Sequence, residues 1–378
     1  MEESLKELFN FSGDPYTHLA EWKEGSGKKV IGLTPMYLPE ELIHAGGMLP
    51  VEMWSSNEPI TVGHAHVTPY YCGLTRSIVD DLLKGKLDFI DGILTYETCI
   101  QARTIMLIVE KNCNIPFMES IFLPNQMTNP LTRPYLIESL EILKARLEEF
   151  AGHEITEESL RESIVIYNRN RGLMRKIYDL RRRRPGLINV KEMVPIVHSS
   201  MLMLKEDHNA ALEKLVIDLE KRPHEIDGRP KVILVGSLCT APSTEILKLF
   251  DDSGVVVVDD DLYTGSRYFV NDAVEDGDPI EALADRFLAR NPPCATKVDS
   301  EMNWSDYIIN MMNESGAQGI ITLIQKNCPP HMCYSPDVMR KLSEANIPEL
   351  VLEVEHEVVS LEQMRTRLQA FKETLGGV

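Results

Sequence analysis

Short runs of β-branched and other apolar residues, each followed by a turn residue and then by apolar positions at helical spacing, recur in the first and last thirds of the chain. That grammar is the mark of βα units and a parallel sheet. Residues 29–34 read as a first strand and 39–45 as a helix, with Glu40 and Glu41 in its opening turn, where the macrodipole favours them, and Gly46-Gly47 at its end. Residues 48–54 are extended and apolar. Residues 89–95 read as a buried strand before a helix over 100–111, and 115–122 as another strand. Residues 28 to about 135 thus form one α/β unit.

From Thr156 the texture changes. Leu160, Ile164, Tyr167, Met174 and Ile177 fall on one face at a 3.6-residue period, and no β-like run returns until Lys231, so 136–225 read as helical. The run Arg181-Arg-Arg-Arg184, closed by Pro185-Gly186, falls at a helix C-terminus, where positive charge is favoured. A charge run of this kind is ordinarily a solvated face, with an anionic ligand as the alternative. A second α/β unit supplies strands at 231–236, 254–259, 319–324 and 349–353. The expected fold class is therefore α/β, with two doubly wound parallel-sheet domains joined by a helical segment. Their expected bounds are 1–135, carrying Cys72 and Cys99; 136–225; and 226–378, carrying Cys328.

Composition narrows the function. The 378 residues carry 39 Lys and Arg against 58 Asp and Glu, a formal charge of −19, with 43% hydrophobic and 26% charged residues. Disorder, collagen and a disulfide scaffold are excluded by this balance, and the length exceeds the roughly 250–300 residues at which one core stops growing. No apolar run approaches the roughly 20 residues of a membrane helix, and the acidic start Met1-Glu-Glu-Ser-Leu-Lys-Glu lacks a signal pattern. A cytoplasmic chain is expected, with no membrane partner. The negative field also argues against a nucleic-acid partner.

Seven cysteines are present, and no two form a C-x-x-C pair, so spacing alone indicates neither a zinc ribbon nor a ferredoxin-type motif. Their positions say more. Cys99, Cys239 and Cys328 each lie just beyond a predicted parallel strand, the edge at which open α/β sheets bind ligands. Cys72 precedes a helix beginning near Leu74, and a helix N-terminus favours thiolate. Core packing is the competing reading for all four, and it is the stronger one for Cys113 and Cys294. Cys333, five residues after Cys328, is a possible substitute for it. His64 and His66 at i, i+2 are a poor helical chelate. Glu52 interrupts an apolar run, either to face solvent or as a carboxyl placed for acid/base work. No P-loop, G-x-G-x-x-G or G-x-S-x-G is present, so ATP hydrolysis by this chain is not expected. The loop 236–245 is rich in hydroxyls and suits either a phosphate or pantetheine, or helix capping by Ser243 or Thr244.

The segment Gly32-Leu-Thr-Pro-Met-Tyr-Leu-Pro-Glu-Glu-Leu-Ile-His-Ala-Gly-Gly-Met-Leu-Pro-Val51, Cys72 before a helix, Thr98-Cys99 after a strand, Lys326-Asn-Cys-Pro-Pro330 and the charged block from Glu353 to Phe371 together resemble the 2-hydroxyacyl-CoA dehydratase and benzoyl-CoA reductase family. The resemblance covers nearly the whole chain. It implies a [4Fe–4S] cluster held by Cys72, Cys99 and Cys328, with one iron left without a cysteine. It also implies an aryl-CoA or acyl-CoA substrate, a homologous cluster-carrying subunit as partner, and a separate ATP-hydrolysing iron–sulfur protein as electron donor. The loop 236–245 and the segment 259–269 look closer to the non-ATPase subunits of benzoyl-CoA reductase, which would make the chain an oxidoreductase subunit. The alternative is a 2-hydroxyacyl-CoA dehydratase subunit, a lyase working through a ketyl radical.

Overall fold

The computed structural model describes residues 2–376 other than 57, 98, 226–227, 237–238, 240–241, 298–302 and 357–359. Thr98, and Ser237, Leu238, Thr240 and Ala241 of the hydroxyl-rich loop, lie outside the described residues. Helices α1 (Glu3–Gly13) and α2 (Pro15–Ser26) precede β1 (Val30–Leu33), α3 (Glu40–Ala45), β2 (Leu49–Glu52), α4 (Gly73–Leu83), β3 (Gly92–Tyr96), α5 (Ile100–Asn112) and β4 (Phe117–Ile121). Four helices follow: α6 (Thr132–Ala151), α7 (Glu157–Arg183), α8 (Val190–Ser200) and α9 (Lys205–Lys221). The last part runs β5 (Lys231–Gly236), α10 (Thr244–Asp252), β6 (Val256–Asp261), α11 (Pro279–Asp285), α12 (Trp304–Ser315), β7 (Gly319–Gln325), α13 (Pro329–Glu344), β8 (Glu349–Val354) and α14 (Leu361–Gly376).

The strands form two four-stranded parallel sheets ordered β2-β1-β3-β4 and β6-β5-β7-β8, the α/β class that the sequence pattern predicts. Both sheets are covered on both faces, which is why their central strands read as unbroken apolar runs. Alternate residues of β5 enter different cores: Val232 and Leu234 meet α10 and α14, while Ile233 and Val235 meet α12 and α13. On the first sheet, Val30 of β1 packs with α1, α8 and α9, whereas Ile31 and Leu33 pack with α6 and with Ile280 and Leu283 of α11. The face of α7 that the periodicity marks is buried along its whole length, from Leu160 to Ile177.

One polar reading is corrected by this packing. The arginine run at the end of α7 is not a solvated helix end. Arg181 is 1% exposed and donates to the Val257 carbonyl and to Asp260 at 3.0 Å; Arg182 binds Asp259 at 2.6 Å; Arg184 donates to the Leu219 carbonyl at 3.0 Å. The cause is β6, whose final residues Asp259, Asp260 and Asp261 are all buried and need cations or donors. Tyr178 also donates to Asp260, at 2.7 Å, and Arg267 grips Asp261 with two bonds of 2.7 Å. Glu40 and Glu41 open α3 as the sequence predicts; both are also buried, and Glu41 pairs with Arg171 in the middle of α7. The arginine run reads as solvated in the sequence because its counter-charges come from a distant segment.

Replacing Arg181 by Met removes its bonds to β6 and leaves Asp260 without its cation, so a loss of about 3 kcal/mol is expected in urea unfolding. The control Arg183→Ala, at a side chain 72% exposed, should change stability by less than about 0.5 kcal/mol. Equal effects would show that the β6 clamp adds nothing.

Candidate functional site

In each sheet the chain reverses its direction of growth about one strand: β1 lies between β2 and β3, and β5 between β6 and β7. The crevice at such a switch point, beyond the carboxyl ends of the strands, is where open α/β sheets bind ligands. Here residues beyond both switch points line a single cavity of about 700 Å³, its mouth included. Thr34, Pro35 and Met36 enter it from the end of β1, Cys99 from beyond β3, Cys239 from beyond β5 and Cys328 from beyond β7, and Cys72 completes the sulfur lining. Thus Cys72, Cys99 and Cys328 share one cavity, although Cys72 and Cys328 stand in different halves of the sequence.

Three of these cysteines hold the same local position. Cys72 is the residue capping the N-terminus of α4, Cys99 that of α5 and Cys328 that of α13, and none caps its helix through its side chain. Three helix N-termini therefore direct partial positive charge towards cysteine-bearing positions of the chamber. Cys72 Sγ lies 3.4 Å from Thr75 Oγ1, and Cys328 Sγ 3.4 Å from His331 Nδ1. Burial pushes the His331 imidazole down to about 3, so the ring is neutral at ordinary pH and available as a hydrogen-bond partner or ligand.

The cysteine-bearing segments are tied to one another by backbone recognition. Buried Gln101 accepts from the Cys72 amide at 2.9 Å and donates to the Asn327 carbonyl at 2.8 Å. Asn327, in the left-handed region at φ 60°, donates its side-chain amide to the Pro69 carbonyl at 3.0 Å. One glutamine thus spans the approaches to Cys72 and Cys328 from a position two residues past Cys99. Gly73 makes the contact between halves close: a Cβ there would lie 2.5 Å from His356 Cβ. Arg76, one turn on, meets Glu355 at 2.6 Å.

Elsewhere the lining is apolar, with Leu74, Ile78, Ala102, Ile105, Pro329 and Pro330, and no charged Asp, Glu, Lys or Arg side chain is among the described residues that line it. Burial pushes the Cys72 thiol above its ordinary range, and it pushes Cys239 well above, with Cys328, Cys72 and Cys99 adding to the effect. Buried thiols that discourage one another's ionisation are a set that a polycationic centre would neutralise. Among the described residues no three His, Cys, Asp or Glu side chains converge as a site for a single metal ion. What the fold brings together is four cysteines, Cys72, Cys99, Cys239 and Cys328, in the lining of one cavity.

The other candidates lie elsewhere. Cys113 ends α5 partly buried; Cys333 is exposed on α13; Cys294 is 3% exposed and meets Tyr37 Oη at 3.3 Å and Thr296 Oγ1 at 3.0 Å. His64 and His66 are exposed. Ser243 caps α10 by accepting from the Ile246 amide at 3.4 Å. Glu52 is buried, not solvent-facing: Tyr263 donates to its Oε1 at 2.6 Å, while its Oε2 has no hydrogen-bond partner. Tyr263 also lines a second, polar cavity of about 420 Å³ with Glu40, Glu41, Arg171, Lys205 and Tyr268. Sequence reasoning missed that cavity because its charges come from α3, α7, α9 and the segments carrying Arg267 and Arg286, which lie far apart along the chain. Gln101 carried no signal at all.

The family model described as "2-hydroxyglutaryl-CoA dehydratase, D-component" matches residues 35–375. The β subunit of (R)-2-hydroxyglutaryl-CoA dehydratase from Acidaminococcus fermentans is 32% identical over 98% of this chain and 98% of its own. The (R)-phenyllactyl-CoA dehydratase β subunit of Clostridium sporogenes is 29% identical over 96% of both chains. The C subunit of benzoyl-CoA reductase from Thauera aromatica is 27% identical over 95% of this chain and 94% of its own.

The buried Glu52 carboxyl generates a pH test. Burial, and next the Glu40 carboxylate, push it up to about 8, against the pull of Tyr263 and Lys205. A carboxyl whose folded value is raised holds its proton more tightly when folded, so its contribution is present at low pH and is lost as pH climbs from about 4.5 to about 8. Glu52→Gln should therefore gain in unfolding midpoint over the parent progressively across that window, with little difference at pH 5. A difference that stays constant from pH 5 to 8.5 would refute a buried, proton-holding Glu52.

Proposed function

The chain belongs to the 2-hydroxyglutaryl-CoA dehydratase D-component family, and from that premise we propose that it is the iron–sulfur subunit of a heteromeric enzyme acting on acyl-CoA thioesters. The supporting observation is the chamber in which Cys72, Cys99 and Cys328, each at a helix N-terminus, meet across both sheets. The donor set fits a [4Fe–4S] cluster: soft thiols around a dry chamber, helix dipoles of the right sign, and no competing carboxylate in the described lining. Such a cluster supplies single low-potential electrons to a thioester-activated acyl group.

The protein's own residues hold, tune and insulate. Cys72, Cys99 and Cys328 would hold the cluster, and Gln101 and Asn327 fix the backbone that carries two of them. The apolar wall from α4 and α5 excludes water, which favours electron transfer over side reactions. Glu52 keeps its proton near neutral pH and accepts from Tyr263, which lines the polar chamber. It is the residue we assign to holding a proton for the reaction. The relatives are named as β or C subunits, so a homologous partner subunit is part of the reading; the family resemblance adds, as part of the same proposal, a separate ATP-hydrolysing iron–sulfur protein as electron donor.

Two reactions fit that description. The wording of residues 236–245 and 259–269 leans towards an aryl-CoA reductase, with a 2-hydroxyacyl-CoA dehydratase as the alternative. Identity does not separate them, at 27% both to the β subunit of lactoyl-CoA dehydratase and to the C subunit of benzoyl-CoA reductase, and 32% to another dehydratase β subunit.

Anaerobic purification with iron and acid-labile sulfide analysis tests the cluster. Cys72→Ala, Cys99→Ala and Cys328→Ala should each lose iron, whereas Cys113→Ala and Cys294→Ala should retain it; equal retention in all five would reject the assignment. ATP consumed per product separates the reactions. A dehydratase returns its electron and should turn over many times after one activation, whereas a ring reductase must spend ATP for every electron pair.

A further inference from the structure

We propose that the polar cavity between α3, α7 and α9 is a binding site for a small, planar, singly charged oxyanion, a carboxylate or bicarbonate, held by the guanidinium of Arg286. The inference is independent of the cluster reading, since it requires neither iron nor a thioester.

The balance of charge around the cavity leads to it. Four cations line this space of about 420 Å³: Arg171, Lys205, Arg267 and Arg286. Three of them have carboxylate partners. Arg171 pairs with Glu41, Lys205 lies 3.4 Å from Glu40, and Arg267 grips Asp261 with two bonds of 2.7 Å. Four cations thus face three carboxylates, and the surplus falls on Arg286. Its Nε donates to the Asn271 carbonyl at 3.0 Å, and its two terminal nitrogens meet no acceptor among the described residues. Burial, and next the neighbouring Arg171, pull this guanidinium down to about 10. A cation in such a place is costly until a counter-charge reaches it.

Other donors around the cavity are also unengaged. Asn291, five residues further on, lines it, and the Nδ2 of its side chain is buried without a hydrogen-bond partner. Tyr167 lines it at 4% exposure, with a hydroxyl that bonds no described residue. Buried donors are paired in the great majority of cases. Here three unengaged donor groups, from α7 and from the stretch after α11, share one cavity, and an anion is the ligand that would use them together.

Shape and charge narrow the ligand. The planar fork of an arginine matches the two oxygens at the edge of a carboxylate, and a single negative charge cancels a surplus of one. A doubly charged phosphate would exceed that surplus and would meet Glu40 and Glu41, buried in the same wall. Elements from both α/β units and from the helical segment converge here: α3 brings Glu40 and Glu41, α7 brings Arg171 and Tyr167, and the stretch after α11 brings Arg286 and Asn291. A bound anion ties these elements together, so the stability of the chain should depend on its concentration.

The test titrates the full chain, dialysed into chloride, with sodium acetate or sodium bicarbonate at constant ionic strength, and with inorganic phosphate for comparison. The thermal unfolding midpoint is one readout. The carbon NMR line width of isotopically labelled acetate or bicarbonate is the other, and it reports binding directly. Acetate or bicarbonate should raise the midpoint to a plateau, and whichever saturates at the lower concentration identifies the ligand. Arg286→Gln should abolish both the shift and the line broadening, and Asn291→Ala should raise the half-saturating concentration by about threefold or more. The inference is overturned by a parent protein with no saturable response to either anion, by a stronger response to phosphate, or by variants that respond as the parent does. If Arg286→Gln does not fold, the Asn291→Ala titration decides. Iron content, measured on the same samples, keeps this outcome separate from that of the cluster.

Discussion

Three consecutive aspartates buried at the end of β6, an edge strand of the second sheet, set the terms for the whole molecule. Taking a carboxylate out of water costs several kcal/mol unless a well-placed partner compensates it, and β6 buries three. Compensation arrives from three directions: Arg181, Arg182 and Tyr178 of α7, Arg267 from the segment after the strand, and Trp304 of α12, whose indole donates to Asp261 at 2.7 Å. The same helix α7 reaches back through Arg171 to Glu41 of α3, beside the first sheet, and through Arg175 to Asp272 at 2.6 Å. A 27-residue helix therefore acts as a strut whose charged side chains are keyed to both α/β units. Hydrophobic burial holds elements together without specifying angle; paired buried charges are exacting about position, and these pin the two sheets so that the chamber can form between them.

The chamber itself shows how weak dipolar terms can be pooled. One helix N-terminus stabilises a negative neighbour by roughly 0.3–1 kcal/mol, and up to about 2 when partly buried. Helices α4, α5 and α13 each direct that end at a cysteine of the same cavity. The chain as a whole carries a charge of −19, yet its deepest sulfur-lined space is bordered by positive dipole ends and apolar walls.

Much of this was legible before any coordinates. The eight strands follow β-branched runs that two-sided burial makes continuous, and the buried stripe of α7 is visible from Leu160 to Ile177. Strand-end position alone singled out Cys99, Cys239 and Cys328, while Cys72 was marked by the helix it precedes and by family resemblance. Illegible were the interactions that depend on two distant segments at once. Arg181 reads as solvated because the sequence does not say that Asp260 will lie beside it, and Glu40 and Glu41 read as first-turn acids because Arg171 and Lys205 lie far along the chain. Gln101 is the clearest case: nothing in a single glutamine on a helix announces that its amide will join the Cys72 and Asn327 backbones. Periodicity reports which face is buried, and it is silent on what waits there.

The order in which the chamber's walls occur along the chain has a bearing on biosynthesis. Cys72 and Cys99 leave the ribosome early, Cys239 much later, and Cys328 only after β7, the strand that β5 and β8 both pair with. Domains fold as units during translation, and contacts of long sequence separation form last. Until the final fifty residues have emerged, Cys72, Cys99 and Cys239 stand without the wall that β7 and α13 supply. On the proposed reading the chamber is completed only after translation has passed β7, and a chain truncated before β7 lacks Cys328 altogether.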